Sequence, residues 1–310
     1  MRASHAVAET GDSSSRTALA LRLRSLLFVP GDSDRKINSA ACCEADAIIF
    51  DLEDAVAPPL KSLARNRVRK VLDERRPNFA IVRINAFDTP WSLQDLATIC
   101  PAAPDCIMLP KCMSQQDVAK LDHFLSAFEA SCGLADGAIS ILPLVTETAV
   151  ALENLRYDNV NGRLIGLGFA GEDLASDLGV AARNEHGMLN PLLVEARQAV
   201  AIAARAAAIP AIDTPYPNPR DRSGLARESG DAATLGFGGK MCIHPDQIAD
   251  VHAALQPGEQ QLAWARRVVE ALNGASDTGV ALLDGKMLDR AHLRLAERYL
   301  SHEIENGNAQ

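Results

Sequence analysis

Eight short runs of aliphatic and β-branched residues, each followed by a longer stretch with apolar positions at helical spacing, constrain this chain more than any other feature. The runs are SLLFV (25–29), AIIF (47–50), FAIVRI (79–84), CIMLP (106–110), ISILPLV (139–145), RLIGLG (163–168), IPAI (209–212) and KMCI (240–243). Most are apolar along their whole length, the pattern of strands covered on both faces in a parallel sheet. Between them, sets such as Leu60, Leu63, Ala64, Val68, Val71 and Leu72, or Leu192, Leu193, Ala196, Ala199, Val200 and Ala203, recur with helical period. Strand–helix alternation predicts an α/β fold with a parallel sheet, and eight repeats predict a closed (β/α)8 TIM barrel. The alternative is an open doubly wound sheet. Against it, the turn after the first strand, FVPGDSDRK, lacks the glycine spacing of a dinucleotide-binding loop.

Polar residues stand at the end of every run. Pro30-Gly31-Asp32 follow the first, and Asp51, Glu53 and Asp54 the second. Arg83 and Asn85 close the third, and Lys111, Glu147, Asp173, Asp213 and His244 follow the remaining five in order. In a barrel all of these lie on the C-terminal rim, where active sites of this fold sit. Glu147 and Asp173, delivered from successive strands, make half a coordination sphere for a hard cation such as Mg²⁺. Taken singly, each reads first as an acid near a helix N-terminus, and the recurrence of the pattern along the chain shifts the balance to the cation. Arg83, at the end of an apolar strand, needs an anion: a substrate carboxylate held by its planar fork, or Asp51 or Glu53 beside it. His244 reads as a rim residue hydrogen-bonded to backbone. Lys111, at a strand end, keeps Schiff-base chemistry open.

The net charge of −9 excludes a general nucleic-acid binder. An anionic ligand then requires local cations, and Arg35 and Lys36 open the first helical segment where such a patch would lie, with Lys111 and Lys240 as further candidates. Seven cysteines, an odd number without a CxxC pair, indicate a reducing compartment, the cytoplasm, and no zinc site. No run approaches the roughly 18 apolar residues of a membrane span. Residues 1–22 lack the apolar core of a secretory signal and carry Glu9 and Asp12, so a disordered leader is expected. The barrel is expected over 23–257. A C-terminal helical extension follows over 258–301, comprising a helix at 259–273, a hinge NGASDTG (273–279) and a last helix after LLDGKMLD (282–289). A polar tail, 302–310, ends the chain. By spacing alone Asp289 is the N-cap of that last helix.

These strand-end residues sit within a set of longer segments: RSLLFVPG (24–31), ADAIIFDLEDAV (45–56), VRINAFDTPW (82–91), MLPK (108–111), PLVTET (143–148), LGFAGEDLASDLG (167–179), AIDTPY (211–216), GFGGKMCIHPDQI (236–248) and LLDGKMLDRAHLRLA (282–296). In these, the chain resembles the HpcH/HpaI aldolase/citrate lyase β-subunit family, of the CoA-ester lyase, citrate lyase β-like type. The resemblance implies a TIM barrel with a C-terminal lid, assembled as a homotrimer or hexamer. It also implies reversible cleavage of a β-hydroxyacyl-CoA (citramalyl-CoA, malyl-CoA or citryl-CoA) to acetyl-CoA and pyruvate, glyoxylate or oxaloacetate. Glu147 and Asp173 would hold Mg²⁺, with Mn²⁺ as an alternative, and Glu53 and Asp54 would hydrogen-bond metal-bound water. Arg83 would be catalytic and, with Glu147, would bind substrate. Arg35 and Lys36 would face the CoA phosphates, and Asp289 would act as general acid/base in a neighbouring subunit's site. Four other readings stay open: a citrate lyase β subunit working with an acyl carrier protein, a malyl-CoA thioesterase, a CoA-independent aldolase (against which LDGKMLD speaks), and a non-catalytic regulatory subunit.

Overall fold

The strands form where the apolar runs place them. The computed structural model describes residues 23–158, 160, 162–274 and 279–307, with side chains as far as 301; the expected leader, 1–22, lies outside the described residues. The strands are β1 (Ser25–Pro30), β2 (Ala47–Asp51), β3 (Ala80–Arg83), β4 (Cys106–Leu109), β5 (Ser140–Pro143), β6 (Leu167–Gly168), β7 (Ala211–Asp213) and β8 (Gly239–Cys242). They are parallel, in the order β5-β4-β3-β2-β1-β8-β7-β6. Single bridges Ile141–Leu164 and Leu144–Gly168 then join β5 to β6. Backbone bonds from Ile141 N–H to Arg163 (2.8 Å) and from Val145 N–H to Gly168 (3.0 Å) support that seam. The sheet therefore closes into a barrel, and the open-sheet alternative is set aside. Gly168 makes the closure fit: a Cβ there would stand 2.6 Å from Leu144 Cδ2.

Alternate residues of each strand serve two cores. Leu26, Ile49, Ile81, Met108, Leu142 and Met241 pack inside the barrel, while their neighbours Leu27, Ile48, Val82, Ile107 and Ile141 pack outward against the helices. Burial on both faces is why the runs show almost no polar alternation.

Two expectations are corrected, Asp213 as a rim residue and Lys240 as a phosphate contact. Asp213 and Lys240 are fully buried, and they belong to an ionic core between β7, β8 and two outer helices. Lys240 Nζ lies 2.6 Å from Asp213 Oδ2, 2.7 Å from the Thr214 carbonyl and 3.0 Å from Glu228 Oε1. Arg197, on the helix Pro191–Ala206, grips Asp213 through two bonds of 2.9 and 2.7 Å. Burial alone would raise the Asp213 pKa, but the charges of Lys240 and Arg197 hold it below the usual carboxylate range. Lys240 is thus committed to the core and is withdrawn as a CoA-phosphate contact. Arg163 plays a comparable part before β6, donating to Glu129, Ser126, Asp136 and the Ile139 carbonyl.

The chain forms two compact units, which part between Leu255 and Gln256. In the second, helices Glu259–Asn273 and Arg290–Gly307 flank a hairpin of β9 (Ala281–Leu283) and β10 (Lys286–Leu288). The hairpin turns at Asp284-Gly285, both with positive φ, the conformation a tight Asp-Gly turn requires. Ala265, Val268, Leu288 and Ala296 form its small core, with Trp264 edge-on to Tyr299. The last helix runs to Gly307, into the segment expected as a polar tail; nothing in HEIEN stops a helix before the glycine. Among the described residues no helix is long and apolar enough to cross a membrane, and all seven cysteines are unpaired.

Candidate active site

The register of the first three strands assembles one wall of the site. Pro30 pairs with Asp51, and Asp51 with Arg83, so the acid and the guanidinium end adjacent strands at the same height. Arg83 donates from Nε (2.8 Å) and Nη2 (2.7 Å) to the two Asp51 oxygens, which also accept from the N–H groups of Glu53 and Ala55. Burial would raise the Asp51 pKa, but Arg83 holds it low. The neighbouring-acid partner considered for Arg83 is therefore present. Its guanidinium nevertheless lies over the Phe28 ring at 4.9 Å and lines a cavity of about 460 Å³.

The loop after β2 is pinned from below. Lys61 donates to the carbonyls of Leu52 and Glu53, each at 2.7 Å, with its ammonium 5.3 Å from the centre of the Trp91 ring. Asn85 also donates to Leu52 O at 2.9 Å. These bonds fix the Glu53 backbone and sink its side chain, whose Oε2 lies 3.0 Å from Arg83 Nη1 without hydrogen-bond geometry. Burial pushes the Glu53 carboxyl up to about 7 from an ordinary 4.5, with Arg83 opposing and Asp54 and Glu147 adding to the rise. Between those two values the folded protein keeps a proton that the unfolded chain has released, so this group lowers stability as pH rises from about 4.5 to about 7. Glu53→Gln is expected to become more stable relative to the parent across that window, read by urea midpoints at several pH values. A constant difference would remove Glu53 as the group responsible.

The acids of β5 and β6 converge opposite. Thr146 and Thr214, both buried, accept from the N–H groups of Ala170 and Gly171 at 3.0 and 3.1 Å, fixing the turn that enters the helix Gly171–Asp177. Asp173 stands in the first turn of that helix. Glu147 and Asp173 meet at the ammonium of Lys111, which lies 2.8 Å from Glu147 Oε1 and 3.3 Å from Asp173 Oδ1, with Asp54 Oδ2 at 3.9 Å. The Lys111 backbone N–H also donates to Glu147 Oε2, and its φ of 51° is in the left-handed region. Burial raises the Glu147 pKa, and contact with Lys111 works against that rise.

Sequence reasoning brought Glu147, Asp173, Asp54, Glu53 and Arg83 to one rim, and the structure gathers them there. Lys36 lines the 460 Å³ cavity; Arg35 lines an adjoining depression with Lys36 and His244. His244 caps a short turn, accepting from Asp246 N–H, in keeping with its structural reading. Asp289 belongs to the second unit. Its Oδ1 accepts from Ala291 N–H (2.9 Å) and meets His292 Nδ1 (2.8 Å), so the N-cap predicted from spacing is present. Those bonds, the His292 side chain first, lower its pKa. Nothing in the sequence marks Thr146 and Thr214 beyond their places just past the ends of β5 and β7. From the sequence Lys111 reads as a phosphate contact or a Schiff-base amine; in the structure it is the hub of three acids.

The carboxylates suit a hard cation. Their oxygens already converge on a single positive charge, and an all-oxygen donor set is what Mg²⁺ takes. Among the described residues, no group of three or more His, Cys, Asp and Glu side chains is placed to hold a metal alone.

Comparison with known proteins bears on this arrangement. The sequence profile of the HpcH/HpaI aldolase/citrate lyase family matches residues 24–245. The chain belongs to that family. It is 33% identical over 287 residues to citrate lyase subunit beta of Escherichia coli K12, covering 90% of this chain and 94% of that one. It is likewise 33% identical over 285 residues to a (3S)-malyl-CoA thioesterase of Cereibacter sphaeroides, covering 90% and 93%. Among solved structures it matches CitE of Mycobacterium tuberculosis in complex with magnesium, acetoacetate and coenzyme A. That match has a TM-score of 0.72 at 30% identity, covering 91% of this chain and 98% of that one. This chain is accordingly a citrate lyase β-like enzyme, of a family of carbon–carbon lyases that act on CoA-linked thioesters.

Proposed function

We propose that this enzyme is a Mg²⁺-dependent lyase cleaving a β-hydroxyacyl-CoA to acetyl-CoA and a 2-oxo acid. Citramalyl-CoA and malyl-CoA are the leading substrates and citryl-CoA the third. The observation that carries the proposal is the convergence of Glu147 and Asp173 on one cation, with Asp173 and Arg83 lining the same cavity. Glu147 and Asp173 would hold the metal, which when bound polarises the oxo-acid carbonyl. Arg83, locked in orientation by Asp51, would take the substrate carboxylate. Burial, which raises the Glu53 pKa to about 7, makes Glu53 a weaker anion for Arg83 than Asp51 is, and so leaves positive field for a substrate carboxylate. Glu53 and Asp54 would hydrogen-bond water on the metal, and Lys36 with Arg35 would meet CoA phosphates. Asp289, held as a carboxylate, suits a base for the acetyl side, delivered from a neighbouring subunit of a cytoplasmic homotrimer or hexamer.

Purified protein with each of the three CoA esters, in Mg²⁺ or in EDTA, tests this directly. Metal-dependent release of acetyl-CoA with the matching oxo acid is the expected result. Release of CoA with intact hydroxy acid would instead identify a thioesterase, a reading favoured by the equally similar Cereibacter sphaeroides relative. Turnover only of an acyl-carrier thioester would point to a citrate lyase β subunit. For the lid, Asp289→Ala subunits mixed with Arg83→Ala subunits should regain part of the activity that each lacks alone. No recovery would count against action in trans.

A further inference from the structure

We infer that Lys111 is an internal counter-ion for the carboxylate site: its ammonium holds the place of a divalent cation between Glu147 and Asp173, and is turned out when that cation binds. The inference rests on the metal reading of those two acids. Lys111 Nζ touches an oxygen of each (2.8 and 3.3 Å), so the ammonium and a metal ion would compete for the same lone pairs. Two cations sharing the same carboxylate oxygens in a partly buried site repel, so binding of the metal favours departure of the ammonium. The lysine has somewhere to go. Its side chain is 37% exposed, and it lines a second cavity of about 800 Å³ shared with Asp54, Asp117 and Thr148. Asp54, already 3.9 Å from Nζ, is a ready partner on that side.

The backbone separates aiming from neutralising. Left-handed φ at Lys111 points its N–H at Glu147 Oε2, and that bond does not depend on where the side chain lies. Glu147 therefore stays aimed while the ammonium leaves. Without metal, the lysine suppresses repulsion between the two acids; with metal, it is redundant there. A ligand that must first displace an internal occupant binds more weakly, by the fraction of molecules in which the site is open.

The test uses full-length protein and Lys111→Met, with Mg²⁺ as the probe and no substrate. Calorimetry should show Mg²⁺ binding about tenfold tighter in the variant, as for a site open in roughly one parent molecule in ten. The variant's melting temperature should fall in EDTA and return to the parental value in saturating Mg²⁺. Lys111→Arg, which keeps the charge, should retain parental Mg²⁺ affinity and serves if Lys111→Met does not fold. Equal or weaker Mg²⁺ binding by Lys111→Met, or a melting loss of the same size with and without Mg²⁺, would overturn the inference and leave an ordinary ion pair. Absence of Mg²⁺ binding by both parent and Lys111→Met would overturn the metal site itself.

Discussion

Glu147→Gln combined with Asp173→Asn is expected to abolish metal-dependent turnover while leaving the fold intact. A metal ion supplies several kcal/mol of charge stabilisation to this kind of chemistry, and each 1.36 kcal/mol is tenfold, so the loss should reach about 10³-fold. The amides keep the shape and volume of the acids, and the strands that carry them are held by ladders and by Thr146 and Thr214, not by the carboxylates. Lys111, a third exposed, can be solvated once its partners are neutral. Rates over a Mg²⁺ titration, with melting curves alongside, check both halves. Undiminished activity would remove the pair as ligands.

Lys240→Met should have the largest effect on stability, about 3–5 kcal/mol, because it breaks a fully buried ionic network and takes from both carboxylates and the Thr214 carbonyl the donor they share. Lys240 has no solvent exposure, and it is the group that joins Asp213 to Glu228. Each acid would keep a single arginine, Arg197 or Arg183. Asp34→Ala, which deletes one partner of the exposed Arg67–Asp34 pair, should cost under about 1 kcal/mol. Urea unfolding of both variants gives the comparison. Equal costs would mean that the interior network is far better solvated than its burial implies.

The barrel was legible because its signal is redundant: eight apolar runs separated by helical spacing admit few other closed arrangements. The least legible strands were those whose residues have other work. RLIGLG suggested six residues, yet only Leu167–Gly168 form a ladder, because Arg163 is drawn into the cluster with Glu129 and the glycines close the seam by proximity. In IPAI, Pro210 has no N–H to give and contributes only its carbonyl, accepting from Leu167. The site was legible as a set of rim positions, but partnerships across strands were not. Nothing in the sequence distinguishes Asp213, whose partner Lys240 lies 27 residues on, from Asp173, which lines the cavity. Arg83 shows the same limit: a strand-end arginine announces an anion, and only register shows that Asp51 stands beside it. Lys111 was missed as a hub because its role depends on a left-handed backbone that no residue type there announces.

The two acids leave from opposite sides of the barrel's seam, Glu147 after β5 and Asp173 after β6. Among the described residues, that joint alone is made of isolated bridges where every other neighbouring pair of strands has a ladder. The Lys111 ammonium, within bonding distance of both acids, links the residues that follow β5 to the helix that follows β6 across that joint. The seam is thus crossed twice, once by backbone bonds within the wall and once by a side chain that reaches over from β4.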